Sequence, residues 1–195
     1  MTPLVRTTEG GKSRTGFADS TVFARYDIVR KTVQGGYTRL APELGVKLPT
    51  GGAFGTGSTD VIGGLVFSHV RDPDRWIADV QLTVPGSGDK GVRAGERVRF
   101  DLAYLRRVLP KSGMGVPMML AVLELNGETE RDTEREGSAV AGSGGDRLFL
   151  SPGIEYFVGR RVVLEASLPI PVYRHSRSSR PKLEPIVILG LRWLV

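Results

Sequence analysis

Residues 97–104 read Arg97-Val98-Arg99-Phe100-Asp101-Leu102-Ala103-Tyr104. Apolar side chains stand at 98, 100, 102 and 104, and the positions between them hold two arginines, an aspartate and an alanine. Successive side chains of a β-strand point to opposite faces, so this period of two sorts one face greasy and the other ionic. Read as a helix, the same residues would mix both kinds around one circumference. The stretch therefore predicts a strand whose arginine side meets water or charge partners, because guanidinium groups in a dry core are costly.

The same alternation recurs on both sides. Upstream, Ala18, Val22, Ala24, Tyr26 and Ile28 oppose Asp19, Thr21, Arg25 and Asp27, and Leu40, Leu44, Val46 and Leu48 oppose Arg39, Glu43 and Lys47. Val61, Leu65 and Phe67 form a third apolar row, and Trp76, Ala78, Val80, Leu82 and Val84 alternate with Asp79, Gln81 and Thr83. Downstream, Met119, Ala121, Leu123 and Leu125 stand against Glu124, Asn126 and Glu128, and Leu148, Leu150, Ile154 and Tyr156 against Arg147 and Glu155. Two more rows follow: Val162, Leu164, Ala166, Leu168 and Ile170 against Glu165 and Ser167, then Val187, Leu189, Leu191, Trp193 and Val195. The sum is about nine strands of membrane-spanning length, with a partial one over residues 2–7, in a single domain over 1–195.

The connections add a second pattern. Residues 34–36, 71–75 and 158–160 are short, 109–116 intermediate, and 50–59, 85–94, 127–146 and 173–182 long. Outer-membrane barrels pair short periplasmic turns with longer external loops, so the expected fold is all-β: an antiparallel up-and-down transmembrane barrel, or meander. On that topology Trp76, Tyr104, Tyr156 and Trp193 all fall near the short-turn ends of their strands. They are the expected interfacial aromatics, since amphipathic rings favour the headgroup level.

Composition limits the chemistry. The 195 residues include 26 glycines, 12 prolines and no cysteine, which excludes disulfides, thiolate metal sites and thiol nucleophiles. No run of about 20 apolar residues exists, so no transmembrane helix is expected. The net charge of +6 is scattered, without a basic helix or stacking motif, and no nucleic-acid partner is expected. Glycine-rich runs at 51–57, 86–91 and 142–145 lack the lysine and hydroxyl of a phosphate loop and read as external loops. With only His69 and His175, and no oriented acid beside either, we expect no catalytic residues, no enzyme, no metal and no cofactor. His69 reads as a strand-end residue. Arg174, Arg177, Arg180 and Lys182 form a basic loop that reads either as meeting lipopolysaccharide phosphates or as an ordinary solvated loop.

The candidate functional surface is the ionic side of the strands. Arg25, Arg39, Glu43, Lys47, Asp79, Arg97, Arg99, Asp101, Glu124 and Glu155 are the channel-lining candidates. The third, sixth and ninth strands turn Ile62, Val66, Leu120, Val122, Ile186 and Ile188 to the same side, giving a partly greasy lumen.

Residues 16–29 (GFADSTVFARYDIV), 44–70 (LGVKLPTGGAFGTGSTDVIGGLVFSHV) and 74–86 (DRWIADVQLTVPG) resemble the meta-pathway phenol-degradation family of outer-membrane transporters. The most specific part is Leu48-Pro49-Thr50-Gly51 followed by Gly55-Thr56-Gly57-Ser58-Thr59-Asp60. Weaker matches are Gly95-Glu96-Arg97, Leu150-Ser151-Pro152-Gly153-Ile154, Leu168-Pro169-Ile170-Pro171-Val172 and Leu189-Gly190-Leu191-Arg192. The resemblance implies an outer-membrane location in a Gram-negative bacterium and passive passage of a small hydrophobic or aromatic solute. It also implies a signal peptide and further N-terminal strands ahead of Met1, in a full-length barrel of about 12 strands. The alternative expectation is a soluble or periplasmic all-β binding protein, or a barrel with a structural or lipid-modifying role.

Overall fold

The computed structural model describes residues 4–9, 12–110, 115–176 and 184–194. Its strands are β1 (Leu4–Glu9), β2 (Lys12–Phe17), β3 (Ser20–Arg25), β4 (Val29–Val33), β5 (Gly36–Leu48), β6 (Asp60–Arg71), β7 (Asp74–Pro85) and β8 (Val92–Arg93). They continue as β9 (Arg97–Leu109), β10 (Met118–Glu130), β11 (Glu134–Arg135), β12 (Ser138–Ala139), β13 (Gly145–Phe157), β14 (Val162–Ser167), β15 (Ile170–Ser176) and β16 (Ile188–Trp193). Among the described residues no helix is long and apolar enough to cross a membrane.

The main sheet runs β16-β14-β13-β10-β9-β7-β6-β5-β3, with β15 also on β13 and β4 also on β5. Each pair is antiparallel, and with the short β8, β11 and β12 set aside and β3/β4 and β14/β15 each counted as one split strand, every pair joins successive strands, so the all-β meander expected from the alternation is what forms. The sheet is open: its end strands are not paired with each other among the described residues. The N-terminal segment, where one partial strand is expected, instead forms a separate hairpin of β1 and β2.

Prolines explain why two of the long strands are split. In an antiparallel ladder the N–H and C=O of one residue point the same way, and proline brings only the C=O. Pro42 accepts from Tyr26 at 3.2 Å but donates nothing back, and there residues 26–28 bulge between the Arg25–Glu43 and Val29–Leu40 pairs. Pro152 likewise accepts from Leu168 at 3.0 Å, and the gap between β14 and β15 lies at Leu168-Pro169. Its other neighbour is unaffected, so β10 and β13 pair without a register shift.

Burial decides what the two faces are. Glu43 is 9 % exposed and its neighbour Leu44 is 68 % exposed, and the same inversion runs along the sheet: Asp60 is buried beside an exposed Val61, Thr83 beside Leu82. The buried hydrophobics among the described residues, Ala41, Ile62, Leu105, Leu120 and Val163, all carry the strand parity of the charged side. Large side chains of the opposite parity, among them Val22, Leu44, Leu164 and Leu191, are exposed.

The connections after β7 and after β10 are tied to each other. β8, β11 and β12, from the connections after β7 and after β10, form a small sheet of their own. The Arg131 amide donates to the Glu96 carbonyl at 2.9 Å, and the Glu136 amide to the Gly91 carbonyl at 2.9 Å. Gly95 makes this approach possible, because a Cβ there would fall 1.8 Å from the Arg131 carbonyl oxygen. Gly95→Val should therefore separate the two loops. Amide exchange at Arg131 and Glu136 should accelerate while that of β9 and β10 stays slow; unchanged exchange at both would contradict the pairing.

Candidate functional site: the charged face

Strand register sets the charges out in rows. Arg25, Glu43, Gly64, Gln81, Arg99, Glu128, Arg147 and Arg174 stand opposite one another, strand after strand, from β3 to β15. Arg25 Nη2 lies 2.5 Å from Glu43 Oε2, and Arg147 Nη2 lies 2.8 Å from Glu128 Oε1. Gln81 Nε2 reaches past Gly64 to donate to Glu43 Oε1 at 3.2 Å, and its Oε1 accepts from Arg99 at 3.4 Å. A side chain at position 64 would stand between them. The row is thus a transverse band of charge in which most members hold one another, as like and unlike groups must in a partly dry space.

One step toward the short turns, Asp79 faces Asp101, and Asp101 accepts from Asn126 Nδ2 at 2.7 Å. Asn126 Oδ1 in turn accepts from Ser151 Oγ at 2.8 Å. Two like charges directly opposite weaken a sheet, so nothing in strand pairing itself favours this Asp79–Asp101 contact. Both carboxylates, with Arg25, Glu43, Gln81 and Arg99, line a recess of about 670 Å³.

A second recess, of about 550 Å³, lies over β10, β13, β14 and β16. Val122, Phe149, Ile186 and Ile188 supply its apolar lining, and Glu124, Glu155, Glu165 and Arg192 its polar one. Arg192 is bonded to Glu165 and lies 3.6 Å from Glu155. Among the described residues no group of three or more acidic, histidine or cysteine side chains is placed to hold a metal.

At the long-loop end the glycine-rich segment after β5 folds onto the sheet. Asp19 accepts from the Gly51 amide at 2.9 Å and from the Thr56 amide and hydroxyl at 2.8 and 2.9 Å. Lys47 Nζ lies 2.6 Å from Asp60 and 3.7 Å from Asp19, and donates to Thr56 and Ser58. Gly55 must lack a side chain, since a Cβ would lie 2.2 Å from Asp19 Oδ1. Burial pushes the Asp19 carboxyl up, but the Thr56 and Gly51 donors and the Lys47 ammonium outweigh it, leaving the group below the ordinary aspartate value.

All ten charged candidates from the sequence lie on this face. Arg25, Glu43 and Arg99 share the long row, Asp79 and Asp101 the next, and Arg97 sits 4.0 Å from Glu128. Arg39 lies 3.6 Å from Asp27, Glu124 and Glu155 line the second recess, and Lys47 is taken up by the loop anchor. Gln81, Asn126, Glu128 and Arg147, placed on the polar side by alternation but outside the ten candidates, are further members of these rows. Their signal is register: once the strands are paired, Gln81 and Glu128 fall opposite Arg99, Asn126 opposite Asp101, and Arg147 opposite Glu128.

One expectation needs correcting. Tyr173, Arg174 and His175 are read from sequence as loop, yet β15 runs to Ser176 and sets Arg174 opposite Arg147 and His175 opposite Asp146. The ladder with β13 continues past the prolines and overrides the loop-like composition. Arg177, Arg180 and Lys182 lie outside the described residues. Trp76, Tyr104, Tyr156 and Trp193 stand on the apolar face near the short-turn ends of β7, β9, β13 and β16. No family of known proteins matches the chain, and no curated protein matches it.

The Asp19 anchor yields a test with a defined sign. A carboxyl held below its unfolded value stabilises the anchored loop above that value, and the contribution is lost as pH falls through the lower, folded one. Asp19→Asn should remove about 1.5–3 kcal/mol of anchoring. Proteolysis within residues 50–59 should then be at least tenfold faster at neutral pH. Acidification should speed cleavage of the unsubstituted protein only below the ordinary aspartate range; equal rates for both proteins at neutral pH would contradict the anchor.

Proposed function

We propose that this sheet is the wall of an outer-membrane β-barrel that lets small hydrophobic or aromatic solutes cross passively, without cofactor or covalent chemistry. The observation that carries the reading is the inverted burial: charge recessed on one face, an uninterrupted apolar row exposed on the other. In water such a face would associate or be covered; in hydrocarbon it is where it belongs. A soluble binding protein, the second reading of the sequence, requires a cover for that face, and none stands among the described residues.

Dimensions support the same reading. On β13 the apolar row runs from Leu148 to Tyr156 between Asp146 and the short turn. Eight residue steps at about 3.4 Å, tilted by about 40°, give a band of about 21 Å, close to the ~25 Å apolar height of such barrels. Closing the sheet supplies partners for the edges at β3 and β16, which lipid demands because each unpaired backbone group there costs several kcal/mol. Short turns face the periplasm in this arrangement, and the long loops with their glycine-rich anchors face lipopolysaccharide.

Selectivity then comes from the charged rows and the two recesses of the enclosed face. The apolar lining at Val122, Phe149, Ile186 and Ile188 gives a greasy solute a partner along a polar path. The resemblance of residues 44–70 to the phenol-degradation transporters points to the same class of solute.

The test is reconstitution in liposomes. Uptake of phenol-like solutes should exceed that of empty vesicles, and the folded protein should run with heat-shifted mobility in detergent. Equal uptake removes the transport claim; absence of the mobility shift removes the barrel. Leu44→Arg places a charge near mid-strand on the lipid side and should cost about 2–4 kcal/mol of folding stability in bilayers. If that variant folds into bilayers as well as the unsubstituted chain, the apolar face does not meet hydrocarbon.

A further inference from the structure

The apolar face changes character at its short-turn end. Lys31, Thr38, His69, Trp76 and Tyr104 stand directly opposite one another on β4, β5, β6, β7 and β9. One register step nearer the turns, Arg71 faces Asp74 and Asp74 faces Arg106. The rings of Trp76 and Tyr104 lie 4.6 Å apart between centroids, tilted by 39°. The Tyr104 hydroxyl donates to Asp74 Oδ1 at 2.6 Å, and Arg106 Nη1 donates to the same oxygen at 3.1 Å. Thr38 Oγ1 and His69 Nδ1 are 2.8 Å apart.

We propose that this corner binds the phosphate of an anionic phospholipid headgroup. The proposal rests on the membrane reading above and adds a lipid partner to it. The rings mark the headgroup level, because an amphipathic aromatic prefers that boundary. Just beyond them, two guanidinium groups flank one carboxylate. Asp74 fixes Arg106 against the tyrosine through one nitrogen, while the Arg106 side chain remains 56 % exposed and keeps its other donors. Arg71 is exposed and has no hydrogen-bond or ion-pair partner among the described residues. Guanidinium donors match phosphate oxygens two at a time.

With Lys31 in the neighbouring row, these strand positions carry three cations against Asp74, and Asp72 in the adjoining turn is taken up by Arg107, so an anion is the complementary partner. Its position selects the source. Short turns lie on the periplasmic side of a barrel, where the leaflet is phospholipid; lipopolysaccharide phosphates lie at the opposite, long-loop end.

The chain has two tryptophans, so Trp193→Phe leaves Trp76 as the single reporter. This variant, refolded into phosphatidylcholine vesicles, is given either phosphatidylglycerol or phosphatidylcholine carrying the same nitroxide near the glycerol backbone. Spin-labelled phosphatidylglycerol should occupy the site about fivefold more readily, the order of preference one basic residue supplies near an anionic surface. Arg71→Gln, which disturbs no internal bond, should remove most of that preference, and Arg106→Gln should do the same. Arg131→Ala, at the long-loop end, should leave it intact.

Equal quenching by the two lipids overturns the site, as does a preference that survives both arginine variants. Absence of quenching by either lipid overturns the membrane reading and this site with it.

Discussion

A single-layer sheet forces every side chain to one of two sides, because its backbone bonds are spent strand to strand and its Cβ atoms alternate. In this protein that constraint separates charge from hydrocarbon along nearly the whole chain. The usual solution in water is to bury the greasy side against a second layer. Here the recessed side is the ionic one, and Glu43 beside Leu44 shows the inversion within two residues. Recess, loop anchor and aromatic row all take their place from it.

The ionic side is held together by register more than by any single bond. Arg25, Glu43, Gln81 and Arg99 form a chain of contacts only because Gly64 leaves a gap in the row. A band of this kind fixes the spacing of the strands and presents both signs of charge along the recessed face. The facing pair Asp79 and Asp101 is the exception, since it opposes strand pairing instead of supporting it. A feature that sheet stability does not explain belongs to the surface's function more readily than to its architecture.

The loop end follows different physics. There, outside the short β8-β11-β12 sheet, the backbone lacks strand partners along much of its length, and carboxylate side chains take over. Asp19 serves the amides of Gly51 and Thr56, and Asp132 those of Gly142 and Gly144. Glycines recur in these segments because carbonyls and carboxylates approach where a Cβ would stand. The loops are consequently joined to the sheet and to one another.

The β class, the long strands of the main sheet and the sorting of the two faces were legible in the sequence itself, because period-two alternation is a local property that survives any arrangement of the strands. The ten charged candidates were legible for the same reason. Which of them meet was not, because a strand's partner residues depend on turn geometry, on prolines such as Pro42 and Pro152, and on gaps such as Gly64. Tertiary pairing alone brought Gln81 to Glu43, continued Arg174 as strand, drew Lys47 out of the open surface into the Asp19 anchor, and joined the loops through β8 and β11. Those contacts link residues far apart in the chain, so no periodicity along it could announce them.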